Sequence, residues 1–323
     1  MPADLAPMHV TAVVVTYNRP DLLRESLDAL ADQTRPADRV IIIDNASTDE
    51  SGRVADEHHI GADVLHLNRN VGGAGGFTVG MAHALRSGEH TDFLWIMDDD
   101  TVPLPDALAE LLAADHRLQQ RGISAAVLSS RAVWTDGRDH PMNSSRTRLG
   151  VPQSEVERFA EIGVRPIRTA SFVSALIRAG EVRTHGLPKA DYFIWSDDFE
   201  FTGRLLRSGQ GFAVPGSVVE HRTVAFSNAA ANPGSRMRYD VRNRLWTLLR
   251  TDSFTRKEQV LYGGKSALGW GRTLLRTRGD LLPIAWRGLR EGLREMPRMN
   301  AVVLGADPER AEEIRAVEKA ARR

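Results

Sequence analysis

The chain has 323 residues, 42% hydrophobic and 26% charged, enough for one large domain or two smaller ones with a conventional core, and disorder is not expected. Its 42 Lys and Arg balance 42 Asp and Glu, so overall charge points to no nucleic-acid partner. No cysteine occurs, which excludes a disulfide framework and leaves only oxygen or imidazole ligands for any metal.

In chain order, HVTAVVVT (9–16) reads as a strand, and Arg19 to Asp32 as a helix with Leu22, Leu23, Ser26, Leu27 and Leu30 at helical spacing. RVIIID (39–44), a helical stretch after Ser47, DVLHL (63–67), a helix through Phe77 to Leu85 and DFLWIM (92–97) continue the alternation. Strand–helix alternation predicts parallel pairing with both sheet faces covered, and ligand chemistry at the carboxyl ends of the strands. Those ends carry Thr16-Tyr17-Asn18, Asp44-Asn45, Asn68-Arg69-Asn70 and Asp98-Asp99-Asp100. Part of that polarity is ordinary helix capping. A helix after Pro103 to about Gln120, a strand at ISAAVLS, and an aperiodic stretch at 134–165, read as a loop over the site, come next. Order resumes with TASFVSALIRA (169–179) and continues through 191–223. Between Arg236 and Arg298 there are 15 basic and 6 acidic residues, a net +9, so the division predicted is 1–235 and a basic, mainly helical 236–323. No charged leader precedes an apolar core, and no apolar run reaches about 18 residues, so the expected location is the cytoplasm.

Four constellations carry chemistry. Asp98 and Asp100, alternate residues of an extended strand end, share a face and suit a hard divalent cation such as Mg²⁺ or Mn²⁺. Asp197, Asp198 and Glu200 open a helix; one acid serves as a cap, but three close together raise one another's pKa, as a general base requires. His221 ends a short apolar segment and is the imidazole ligand candidate. Asn70-Val-Gly72-Gly73-Ala-Gly-Gly-Phe77 lets backbone N–H groups approach a phosphate or sugar. A dinucleotide fingerprint is a weak reading of that run, because the third glycine position is Thr78 and the run follows the third strand.

Together VVVTYNRPDLL, IIIDNASTD, LNRNVGGAGGF, WIMDDDT and WSDDFEF resemble family 2 glycosyltransferases over roughly residues 9–250. NVGGAGGF and FIWSDDFEF are most similar to the actinobacterial galactofuranosyltransferases of cell-wall galactan synthesis. The resemblance implies the GT-A fold, an α/β, Rossmann-like, mostly parallel sheet, here with a C-terminal helical extension. It implies a nucleotide-contacting edge of Thr16, Tyr17, Asn18 and Asp44, with Arg69 and Asn70 approaching the nucleotide sugar beside Gly72 and Gly73. Asp98 and Asp100 fall on the outer positions of a DxD motif, Asp98 facing the nucleotide and Asp100 binding Mn²⁺ or Mg²⁺; Asp99 belongs to the same set without an assigned contact. His221 matches a histidine that completes metal binding and Asp198 a catalytic base, with Asp197 and Glu200 orienting the acceptor or tuning the base.

The reaction implied is inverting transfer of galactofuranose from UDP-galactofuranose to a hydroxyl of a polyprenyl-diphosphate-linked glycan, on the inner face of the cell membrane. Basic residues interleaved with Trp270, Leu274, Leu281 and Trp286 fit an interfacial helix on that membrane, or helices packing on the catalytic domain or a second subunit; an oligomer is compatible with either. The rival readings are a dTDP-rhamnose transferase, an NAD-type oxidoreductase using Gly72 to Gly76, and a non-catalytic sugar-nucleotide binder.

Overall fold

The computed structural model describes residues 8–86, 90–141, 143, 145–223, 226, 233–305 and 308–321. Strand β1 (Val10–Thr16) is buried throughout. Its β-branched side chains alternate between two cores: Val13 and Val15 join Phe77 and Met81 on one face, while Val10, Ala12 and Val14 join Leu23, Leu27 and Leu30 on the other. A strand apolar on both faces must be covered on both, and helices α1 (Pro20–Ala31) and α3 (Gly72–Ala84) do this. Helices α2 (Ser51–Glu57) and α4 (Ala107–Gln119) extend the α1 layer through Val54, Leu108 and Leu111.

Strands β2 (Arg39–Asp44), β3 (Asp63–His66) and β4 (Phe93–Asp98) pair in parallel around β1 in the order β3-β2-β1-β4. Register sets Thr16 opposite Asp44 and Val15 opposite Asp98. The polar strand ends therefore meet at one edge, as the alternation predicts.

Beyond β4 the sheet is mixed. β9 (Ala175–Arg178) runs antiparallel between β4 and β6 (Ala125–Val133). β10 (Gln210–His221) is parallel to β6, and β8 (Arg165–Thr169) and β7 (Arg146–Thr147) add antiparallel pairs at the far edge. Only part of the sheet keeps the parallel pairing expected; buried strands are apolar whichever way they run, so their composition does not encode direction. β5 (Thr101–Pro103) pairs with the end of β10 and sets His221 opposite Thr101, one residue beyond Asp100.

The stretch at 134–165 read as a loop holds β7 and helix α5 (Gln153–Ala160), two turns long and anchored by one buried residue, Phe159, too short a segment to stand out from its aperiodic surroundings. Helices α6 (Ala179–His185) and α7 (Asp197–Ser208) precede β10. The C-terminal part is helical: α8 (Met237–Leu249), α9 (Arg256–Arg276), α10 (Leu282–Arg294), α11 (Asn300–Val303) and α12 (Pro308–Ala320). α9 opens with a capping box between Thr255 and Glu258. α11 and α12 fold back on α3, where Val303, Leu304, Ile314 and Val317 share the core of Phe77 and Val79. Among the described residues no helix is long and apolar enough to cross a membrane.

Candidate active site

The three aspartates after β4 have three different surroundings. Asp99 turns back under β1: its Oδ2 accepts from Thr16 Oγ1 at 2.9 Å and from the Tyr17 N–H at 3.1 Å, and its Oδ1 from Arg19 Nη1 at 3.2 Å. Burial pushes its pKa up to about 6, against the pull of Arg19. It pins the end of β1 and is 4% exposed, so a nucleotide contact is not open to its carboxylate. Asp98 is raised well above the usual carboxylate range, first by burial and then by Asp100, Asp99 and Asp197. Arg19 also bonds Asp100 Oδ2 at 2.5 Å.

Asp100 Oδ1 is buried without a well-directed hydrogen bond, and His221 Nε2 stands 3.2 Å from it. Burial raises the Asp100 pKa, but His221 and Arg19 more than offset this and hold it below the usual value. His221 Nδ1 lies 2.7 Å from Asn143 Oδ1; because a carboxamide oxygen only accepts, Nδ1 is the donor there, which leaves Nε2 facing Asp100, to donate to that carboxylate when it carries a proton or to offer its lone pair to a cation when it does not. Two neighbouring ligand atoms on one octahedral ion with metal–ligand distances near 2.1 Å lie about 3 Å apart. An imidazole lone pair and an orphaned carboxylate oxygen at that separation fit Mn²⁺ or Mg²⁺, with phosphate and water oxygens completing the shell.

Asn143 continues the chain of contacts: its Nδ2 donates to Ser171 Oγ at 3.0 Å, and Ser171 is near enough to Asp198 to hold that carboxylate's pKa down. A run of polar side chains thus leads from His221 to the carboxylate at the start of α7. Asp198 Oδ1 also accepts the Phe199 N–H at 2.6 Å. Its pKa is raised by burial, while that N–H, Arg244 and Arg146 limit the rise. Asp197, 8% exposed, is pushed up to about 8 by burial and by Asp198.

The loop entering α7 is strained. Phe193, Trp195 and Ser196 have φ of 64°, 67° and 65°, a region costly for side chains with a Cβ. The fully buried Asn243 of α8 holds it, its Nδ2 within 2.8–2.9 Å of the carbonyls of Tyr192, Ile194 and Trp195. The buried Arg242 reaches the carbonyls of Asp191 and Tyr192, and Arg298 pairs with Asp191 at 2.5 Å. The C-terminal helices therefore set where the α7 acids stand.

Other expected residues divide. Tyr17 (41% exposed) and Asn18 line the open edge, Asn18 Oδ1 accepting from the Thr48 N–H at 2.8 Å. Asp44 lies at that edge with Oδ1 on the Ser47 N–H and Oδ2 on His66 Nδ1, both at 2.9 Å. Arg69 is turned away, donating from Nη2 to the Val303 carbonyl of α11, and Asn70 Oδ1 is taken by the Gly72 N–H at 2.7 Å. Gly72, at φ +74°, is shut in by the Phe193 carbonyl, 2.0 Å from where a Cβ would stand. The expected glycine cradle is instead the packed first turns of α3: Gly76 lies against Val15 and Gly75 against Val71, and only Gly73 of these faces open space. The oxidoreductase reading loses its phosphate loop by the same observation. Glu200 is 0% exposed, paired with Arg204 at 2.9 and 3.2 Å and accepting from Ser253 Oγ at 3.0 Å. Those partners hold its pKa low against burial; it is a buried ion pair that braces α7 and has no face for an acceptor.

Arg19, Asn143, Ser171, Arg146, Arg244 and Asn243 were not among the sequence candidates. Arg19 alone had a local signal, its place in the TYNRP segment after β1.

Similarity to known proteins agrees with this geometry. Residues 11–172 match the model of glycosyl transferase family 2. Galactofuranosyltransferase GlfT1 of Mycobacterium tuberculosis is 36% identical over 217 residues, 63% of this chain and 66% of the relative, so the match spans slightly under two thirds of that protein. GlfT1 of Mycolicibacterium smegmatis is 33% identical over 208 residues, covering 63% and 67%. Among solved structures, Staphylococcus aureus TarS 1–349 in complex with UDP-GlcNAc superposes with a TM-score of 0.56 at 17% identity, over 98% of this chain and 92% of that one. GalNAc-T7 with UDP, GalNAc and Mn²⁺ gives 0.53 at 16%, over 67% and 43%. At such identities these structures speak for the fold.

Proposed function

The chain belongs to glycosyl transferase family 2, and from that premise we propose that it is an inverting galactofuranosyltransferase, moving the sugar of UDP-galactofuranose to a hydroxyl of a lipid-linked glycan. The observation that carries the reading is the path from Asp100 and His221 through Asn143 and Ser171 to Asp198. It leads from a pair of side chains suited to a divalent cation to a carboxylate of raised pKa, at the edge where Thr16, Asp44 and Asp98 end their strands. The relatives named above supply the choice of sugar.

Asp198 accepts the proton of the acceptor hydroxyl as that oxygen forms its bond to the anomeric carbon, while the bond from that carbon to the diphosphate oxygen breaks on the opposite face. A raised pKa makes Asp198 a better proton acceptor at neutral pH than an exposed aspartate. Asp98 and the backbone around Tyr17 and Asn18 receive the nucleotide. A divalent cation held by Asp100 and His221 would supply positive charge against the departing diphosphate. Asn143 is a positioning residue that fixes the His221 tautomer. With the basic helices α8 to α10, the protein works on the inner face of the cell membrane.

Asp198→Asn tests the base. Transfer from UDP-galactofuranose to a synthetic glycan acceptor is expected to fall about 10²–10⁴-fold, with thermal stabilisation by UDP plus Mn²⁺ retained. Near-normal transfer by this variant would remove Asp198 from the mechanism. Offering dTDP-rhamnose beside UDP-galactofuranose decides the donor, and stabilisation by NADH in place of UDP would overturn the reading.

A further inference from the structure

Behind Asp198, between β7, α8 and α9, lies a cavity of about 180 Å³ lined by Arg146, Arg244, Lys265, Asp240, Tyr262 and Trp270. The two guanidiniums lie over aromatic rings: Arg146 Cζ is 4.9 Å from the Phe199 centroid and 5.5 Å from that of Tyr262, and Arg244 Cζ is 4.2 Å from that of Phe199. Both are near enough to Asp198 to restrain its pKa. Several other buried or half-buried arginines have carboxylate partners, as Arg168 with Glu258, Arg204 with Glu200 and Arg238 with Glu291, and Arg242 is held by the Asp191 and Tyr192 carbonyls. Among the described residues Arg146, Arg244 and Lys265 have no such salt bridge. The one acid in the lining, Asp240, accepts from Trp270 Nε1 at 2.7 Å. Burial, and then the like charge of Arg146, outweigh Asp240 and Asp198 and lower the Arg244 pKa. Three cations gathered around one lining acid leave an excess of positive charge that an arriving anion would offset.

We propose that this cavity is an acceptor subsite for a phosphate or diphosphate, held by Arg146, Arg244 and Lys265 while the sugar attached to it presents its hydroxyl to Asp198. Guanidinium forks match phosphate oxygens two at a time, and the cation–π contacts with Phe199 and Tyr262 help hold the two arginines at the cavity. Tyr262, Ser266, Gly269 and Thr273, at intervals of four, three and four residues, turn one face of α9 to the cavity. Leu261, Lys265, Leu268, Arg272 and Leu275 form the adjoining stripe, with Leu268 65% and Leu275 82% exposed. Lys265 borders both. An amphiphile thus places its phosphate in the cavity and its chain along the outer face of α9. The subsite rests on the transferase reading and assigns Arg146, Arg244 and Lys265 to the anionic part of the acceptor that the resemblance implies.

The test uses the full chain and two synthetic acceptors with the same glycan, one on a neutral alkyl aglycone and one on an alkyl diphosphate. The ratio of their kcat/KM values is expected to fall at least tenfold in Arg244→Met and Arg146→Met and severalfold in Lys265→Met, mostly through KM for the charged acceptor. Protein saturated with UDP and Mg²⁺ is titrated in parallel with geranyl diphosphate and with inorganic pyrophosphate. Binding of both that weakens in the variants supports a diphosphate site, and binding of the geranyl compound alone supports one that also needs the chain. Geranyl diphosphate that binds wild type and variants equally, or not at all, overturns the subsite, as does an unchanged kcat/KM ratio. If the wild type transfers to neither acceptor while variant-sensitive binding persists, the transferase reading fails and the anion site stands. Lys265 is exposed and its change does not threaten folding; UDP-induced stabilisation verifies the arginine variants.

Discussion

Asp197 and Asp198 are neighbours on the first turn of α7, yet their surroundings separate them. Asp198 has an N–H, a serine hydroxyl and two arginines on its side, whereas Asp197 is buried beside Asp198 and is pushed up to about 8. At neutral pH Asp197 is therefore the member of the pair that holds a proton, and the proposal gives Asp198 the role of accepting one. The consequence for stability has a definite sign. An unfolded Asp197 loses its proton near pH 4, while the folded one keeps it to about 8, so the folded state binds more protons across that window and stability falls as pH rises through it. Asparagine does not titrate. The Tm of Asp197→Asn minus that of wild type is therefore expected to become more positive between pH 5 and pH 8.5, measured by calorimetry; a difference independent of pH would show that Asp197 ionises normally. At this scale the sequence shows the acids and His221, because each ends a recognisable strand or opens a helix. It does not show Asn143 or Arg146, single polar residues in an aperiodic stretch whose roles arise from contacts such as Asn143 with His221, 78 positions apart.

At the scale of elements, α3 is where sequence and structure differ most in meaning. A glycine run after a strand reads as an anion cradle, and it does open a helix at the correct sheet edge. The glycines are there mainly because α3 presses on β1: a Cβ at Gly76 would stand 2.5 Å from Val15 Cγ1, and one at Gly80 2.4 Å from Val13 Cγ1. Nothing in local pattern separates a glycine that admits a ligand from one that admits a neighbouring strand, since both need the missing Cβ. Gly76→Ala is accordingly expected to destabilise by about 1–3 kcal/mol through overpacking. Gly73→Ala, with no atom within 4 Å of the new Cβ, should be neutral or stabilise by up to about 1 kcal/mol through helix propensity. Urea unfolding of the two variants distinguishes packing from cradle; equal losses would contradict the packing account. The first four strands were legible because their apolar runs alternate with amphipathic helices. The antiparallel β8 and β9 were not, because short buried strands carry no record of direction, and α5 shows only one buried side chain.

At the scale of the whole molecule, charge and apolar exposure gather at one end. The net charge of zero conceals +9 between Arg236 and Arg298, and the same region exposes Leu261, Leu268, Leu275 and Trp286, each more than half accessible. Of these, Leu261, Leu268 and Leu275 recur every seven residues along α9, with Lys265, Arg272 and Arg276 interleaved on the same side, so the helix offers an apolar line edged with cations. Helices α8 and α10 pack on each other through Val241 and Ala285, which leaves the outer stripe of α9 uncovered among the described residues. Cations near an anionic leaflet contribute about 1 kcal/mol each, and buried leucines add their apolar area. The double variant Leu268→Glu, Leu275→Glu reverses both contributions at once while touching no core contact, since the two side chains are 65% and 82% exposed. Its Tm should stay within about 2 °C of wild type, the range expected for surface substitutions. Cosedimentation with phosphatidylglycerol vesicles is expected to weaken at least tenfold, and wild-type binding to decline as salt rises past about 0.15 M, where the screening length is about 8 Å. Equal binding by variant and wild type would mean that α9 faces solvent or another protein, and the diphosphate proposed for the Arg146–Arg244 cavity would then have to arrive without a membrane to present it.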